Sequence, residues 1–300
     1  MLWIIDSLVY GFFTALYTLV NQKHKFNGYV LGIWRGFGIS LLFLPFLFFI
    51  PLQRSVDNWC LLIFQGIMIG IYDSHLFFSS AKYGAGATSR VLSVAVLITT
   101  IIWWILTPRL FFALVQNENV FITLLLLLSG FSVSYWYMIK EPITNNCVEY
   151  MAPAIFALAG MSAATKEIAM MGQDVWHNIL YYLVVATFVS GIYNTILYIK
   201  TSSASRKEFF AEVFAPEVVK VGIYIVGFSA VLIASKTMAM RLSPNPGYVV
   251  ALMLTSPIFV FLLDKYGKVP DNVSVKAGFS MVFFLILLMI VVAGGANVVD

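Results

Sequence analysis

A tyrosine, a histidine and a serine recur at helical spacing in the third of ten apolar runs. Tyr72, His75 and Ser79 follow Gln65 and Met68 and precede Lys82 at intervals of three, four or seven residues, so on a helix they form one stripe. A phenol, an imidazole and a hydroxyl in one row can hold a polar solute, and an imidazole can respond to pH near its reference value of about 6.5. Asp73 cannot share the His75 face, because two residues turn a helix by about 200°. It falls with Gly66, Gly70 and Phe77, a side whose glycines suit close approach of a neighbouring helix. A second reading stands beside the first: His75 and Asp73 satisfy hydrogen bonds between helices and touch no solute.

Further polar residues interrupt later runs. The sixth carries Ser162, Thr165, Lys166 and Glu167, the seventh Asn194 and the eighth Lys236, the last read as lying near a membrane boundary. Arg35, near the start of the second run, is read as interfacial. The expected solute-binding set is Tyr72, His75, Ser79, Asn194 and Lys236, with Asp73 or Glu167 as carrier of a coupling proton. The alternative for Lys166 and Glu167 is that both reach for the headgroups. Motifs of catalysis are missing: there is no H-E-x-x-H, no G-x-S-x-G and no phosphate-binding glycine loop. Neither an enzyme nor a cofactor is expected. Cys60 and Cys147 are too few for a metal cluster, and a disulfide between them stays open.

The elements that must position these residues are membrane helices. Hydrophobic residues make up 61% of the 300-residue chain and charged residues 11%, where soluble domains carry about 25% charged residues. The mean hydropathy is +0.91. Spanning about 30 Å of hydrocarbon takes about 20 apolar residues. Runs of that size lie at 2–20, 29–50, 59–78, 88–106, 120–139, 151–171, 179–199, 218–238, 246–263 and 275–292. Barrel strands need only about 9–11 residues of alternating character, so strands are excluded as spanning elements. The fold class expected is an all-α membrane protein of ten transmembrane helices. A polar midpoint at 140–150 divides it into halves of five, 1–146 and 147–300. Five is odd, so the second half enters from the opposite side, as an inverted repeat. The third and fourth runs are joined through Gly84–Ala87 and the eighth and ninth through Leu242–Asn245, almost without loops. Between the seventh and eighth, residues 207–214 place Phe209, Phe210, Val213 and Phe214 on one face, the pattern of a short interfacial helix.

On these residues the chain resembles the ten-helix drug/metabolite transporter superfamily, in its EamA-like branch. Tyr10-Gly11 stands where that family has a Trp-Gly pair, and Arg35 sits near the start of the second helix. A small-residue junction runs from Ala81 to Ala87. Ser256-Pro257 precedes an apolar run ending at Asp264, and Gly278 opens the tenth helix. Pro108-Arg109 and Thr99 depart from the family pattern. The resemblance implies a secondary carrier with both termini in the cytoplasm.

Charge points the other way on orientation. Odd-numbered connections hold Lys23, Lys25, Lys82, Arg90, Lys140, Lys200, Arg206, Lys207, Lys220, Lys265, Lys268 and Lys276, against Arg54, Arg109 and Arg241 in the even ones. The positive-inside rule therefore places the termini outside. The expected function is secondary-active transport of a small metabolite, an amino acid or similar solute, by alternating access, with proton coupling. The alternatives are a drug or amino-acid exporter working by exchange, a membrane enzyme and an assembly subunit. Expected partners are the solute and membrane lipid, with no nucleic acid, in a monomer or homodimer of the bacterial cytoplasmic (inner) membrane.

Overall fold

The computed structural model describes residues 2–52, 55–139, 142–172, 174–202, 205–243, 246–253, 255–267 and 275–296. Every regular element among them is helical. Arg54, Lys140, Lys268, Pro244 and Asn245 lie outside the described residues. Nine helical segments among the described residues are long and apolar enough to cross a membrane, and the chain is an integral membrane protein by that measure. The first three are α1 (Leu2–His24), α2 (Gly28–Phe43, prolonged by a tighter turn over Leu44–Phe49) and α3 (Val56–Tyr83). The fourth span is split into α4 (Ala85–Leu92) and α5 (Ala95–Leu106). A short α6 (Pro108–Gln116), read from sequence as connector, precedes α7 (Glu118–Ile139).

The second half begins with α8 (Pro142–Met170). The midpoint read as a polar connector is thus helical from Pro142 onward among the described residues. The seventh span joins α9 (Val175–Tyr181) to α10 (Thr187–Thr201) through a wider π-helical turn at Tyr182–Ala186. Then come α11 (Arg206–Val213), α12 (Pro216–Leu242), α13 (Pro246–Met253), α14 (Ser256–Gly267) and α15 (Val275–Ala296).

Both the fourth and the ninth span break after eight residues. At the first break the N–H groups of Ser93, Val94 and Val96 donate to carbonyls three residues back, not four. At the second, Pro257 has no N–H to give, and Thr255 and Ile258 make the same short bonds. The two broken spans run side by side, α4 along α14 and α5 along α13. Gly11 lets α1 approach the second break, since a Cβ there would meet the Met253 carbonyl at 2.9 Å and Thr255 Oγ1 at 3.0 Å.

One residue, Gly84, separates α3 from α4. Its φ of +89° is open to glycine and strained for other residues. The Gln22 side chain accepts from the Ala85 N–H at 2.8 Å and so caps the start of α4. Asn21, fully buried, donates to the Phe77 carbonyl at 2.8 Å and ties the end of α1 to α3. The helix expected at 207–214 forms as α11. It opens on a capping box in which Ser205 and Glu208 satisfy each other's backbone N–H groups. Trp34 Nε1 donates to the Val213 carbonyl at 2.9 Å, while Phe210 and Phe214 stay exposed.

Candidate functional site

The stripe on α3 has a helix for a partner. Gln65 Nε2 donates to Thr165 Oγ1 of α8 at 3.0 Å, and Met68 faces Gly160. The half-buried His75 ring lies 5.4 Å from that of Tyr150, and its Nδ1 is 2.8 Å from the Ile71 carbonyl of its own helix. Ser79 is fully buried, 2.8 Å from Thr88 Oγ1 and 3.4 Å from Cys147 Sγ. Partner numbers fall as the α3 numbers rise, so the stripe is the antiparallel seam between the third and sixth spans. Both cysteines are free.

The glycines of the other side do what small residues suggest. A Cβ at Gly66 would meet Val189, and one at Gly70 would meet Tyr193, both on the seventh span. Asp73, however, is no packing residue. It is fully buried and ion-paired with Arg35 Nη1 of α2, and it accepts from the Tyr17 hydroxyl of α1 at 3.3 Å. Arg35 is therefore a core residue at 6% exposure, and the interfacial reading is corrected. The reason is energetic: a guanidinium inside a bundle is tolerated when a buried carboxylate meets it.

Around this pair lies a polar layer drawn from five spans. Tyr10 and Tyr72 are buried within electrostatic reach of Arg35 and Asp73. Tyr182, on the π-helical turn, feels the same pair, and its hydroxyl accepts from Gln65 Nε2 at 2.5 Å. Ser229 of α12 lies against Tyr17. Lys236, one face-repeat further along α12, is 2% exposed and interacts with the Arg35 charge, so it too is buried and no boundary residue. Among the described residues its Nζ has no hydrogen-bond partner.

The remaining expected residues lie elsewhere. Asn194 is fully buried where α10 crosses α2: a Cβ on Gly32 would strike its amide, which donates to the Ser190 carbonyl at 2.9 Å. Glu167 is exposed near the end of α8. Its neighbour Lys166 is buried, donating to the Met240 and Ser243 carbonyls at 2.8 and 2.5 Å, and Arg241 donates to the Ala169 carbonyl at 3.0 Å. Two parallel helices thus cap each other's C-terminal carbonyls with basic side chains. Both Lys166 bonds are thus spent on the end of α12.

Tyr72, Asp73 and Lys236 are thus brought together, whereas His75, Ser79, Asn194 and Glu167 are not. Sequence reasoning missed Tyr10, Tyr17, Arg35 and Tyr182 as members. The available signal was Tyr10, Thr14 and Tyr17, spaced by four and three and so on one helical face. A cleft of about 690 Å³ opens between α1 and α12, lined by Leu16, Lys23, Lys220 and Phe228 among others. No known protein family and no curated protein matches the chain.

Proposed function

We propose that this protein is a secondary carrier of a small polar solute, working by alternating access, and that it belongs with the EamA-like transporters it resembles. The carrying observation is the buried Arg35–Asp73 pair at the meeting of five spans. Charges at such depth cost about 2.5–3.5 kcal/mol or more each, so they mark a solute or proton path by default. Counted along the helices, Asp73 lies about 15 Å from the end of α3 and Arg35 about 10 Å from the start of α2, the mid-membrane level at which carriers bind. The binding residues in this reading are Tyr10, Tyr17, Arg35, Tyr72 and Lys236, with Asp73 as proton carrier.

The inverted repeat of five and five, with halves 1–146 and 147–300, is part of the proposal, and α15 is its tenth span. Helix pairing supports it. The third span packs along the sixth and the first along the eighth, the third along the seventh and the second along the eighth, and the second on the seventh and the fifth on the tenth. Exchanging the halves leaves that set unchanged. Single contacts follow the same rule. Gly66 faces Val189 as Gly222 faces Trp34, and Gly70 faces Tyr193 as Val226 faces Gly38, while Gly36 faces Gly191 across the proposed axis. Inverted halves can exchange conformations, which is the physical basis of rocking access.

The test is flux. Protein in liposomes is screened for uptake and counterflow of amino acids, sugars, nucleosides and organic acids, beside Asp73→Asn and Arg35→Gln. Saturable flux that both variants abolish is the expected result. Absence of flux for every class, or flux untouched by both substitutions, would overturn the carrier or its site.

A further inference from the structure

The polar layer carries more positive than negative charge. Of the charged residues placed in it, Arg35 and Lys236 are basic and Asp73 is acidic. Among the described residues, Arg35 turns Nη1 to Asp73 and keeps a buried Nε without a partner, and Lys236 keeps a buried Nζ without one. Burying an ammonium away from any counter-charge or acceptor is costly. The fold does satisfy its other buried lysine, since Lys166, 6% exposed, meets two carbonyls. Lys236 is thus set apart from a residue of the same type and depth in the same protein.

Position adds direction. Ser229 and Lys236 are seven residues apart on one face of α12, and Ser229 lies against Tyr17. The antiparallel α1 then brings Tyr10 to the level of Lys236, about 10 Å along the axis from Tyr17 and the Arg35–Asp73 pair. The rings of Tyr10, Tyr72 and Tyr182 are buried in the same layer. Their faces suit an apolar or planar body.

We infer that the solute is a monocarboxylate with an apolar or aromatic body, its carboxylate taken by Lys236 Nζ. This rests on the carrier reading for its use in transport. The single excess positive charge fits one carboxylate, whereas a phosphate monoester brings about −1.5 to −2 at neutral pH.

The experiment measures thermal unfolding of the detergent-purified protein with phenylacetate, phenylacetamide, phenethylamine and phenyl phosphate, four probes that differ mainly in the charged group. Phenylacetate is expected to raise the midpoint saturably and the other three not. Lys236→Gln is expected to weaken that binding about tenfold or more and Lys236→Arg to keep it within about threefold. Equal stabilisation by the amide, the amine or the phosphate overturns the inference. So does no stabilisation by phenylacetate up to about 10 mM, well above millimolar affinity, or unchanged binding in Lys236→Gln. If that variant does not fold, the four-probe comparison and Lys236→Arg decide. Flux in liposomes separates the two readings. Lys236-dependent binding with no flux sinks the carrier and leaves the anion site; flux of amines or neutral solutes alone leaves the carrier and sinks the anion site.

Discussion

Asp73→Asn removes one charge and almost no volume. In the native protein the carboxylate is fully buried, pairs with Arg35 and accepts from Tyr17. The substitution leaves the Arg35 guanidinium at 6% exposure with no counter-charge and with Lys236 as its charged neighbour. Breaking a buried pair by removing one partner costs about 3–5 kcal/mol, whereas replacing both partners by apolar residues of similar size is often neutral. Arg35→Met should therefore cost a similar amount, and Arg35→Met/Asp73→Leu should return to within about 1 kcal/mol of the native protein. Reversible unfolding in mixed micelles of rising SDS fraction supplies the free energies of these variants and of Asp73→Leu, and the double-mutant cycle built on Arg35→Met and Asp73→Leu supplies the coupling. Single substitutions that each cost under about 1 kcal/mol, or a double variant that merely adds the two, would refute a buried, mutually dependent pair.

The remaining predictions probe the bundle, its ends and its orientation. Gly36→Val places a Cβ against the Gly191 backbone and should abolish folding or cost more than about 3 kcal/mol, whereas Gly227→Val, with nothing within 4 Å, should stay within about 0.5 kcal/mol; the same unfolding assay compares them. Lys166→Met removes two charge-assisted bonds to the end of α12 and should cost about 2–3 kcal/mol, while the exposed Glu167→Gln should cost under about 0.5 kcal/mol. The Ser205 N–H and hydroxyl hold the Glu208 carboxyl below its ordinary value of 4.5. A depressed carboxylate stabilises above its unfolded value and loses that as pH falls through the folded one. Protection of amides in 206–213 against exchange, taken relative to the intrinsic rate at each pH, should accordingly fall below pH 4.5 in the native protein and not in Glu208→Gln. A reporter active only in the cytoplasm, fused after Asp300, should stay silent if the basic odd connections set the orientation; a strong signal would mean the resemblance governs it.

Much of the helical plan was legible in the sequence because hydrocarbon thickness fixes the length of an apolar run. The same physics placed Tyr72, His75 and Ser79 on one face and Gly66 and Gly70 on another, since helical periodicity is local. What periodicity cannot say is which neighbour each face meets. The His75 stripe became a seam with α8. The glycine side opened at Asp73 onto a guanidinium 38 residues away and a phenol 56 residues away. Those meetings depend on how far α1, α2 and α3 are rotated and slid against one another, and that is set by non-local contacts such as Gly36 on Gly191 and Gly11 on the break after Met253. The burial of Lys236 has the same origin: the residue alone fits a membrane boundary, and only its place on α12 opposite Tyr10 puts it in the polar layer. Sequence determined that there would be helices and what each face carried; tertiary structure decided which charges were buried together, because pairing energy exists only once separate helices share one interior.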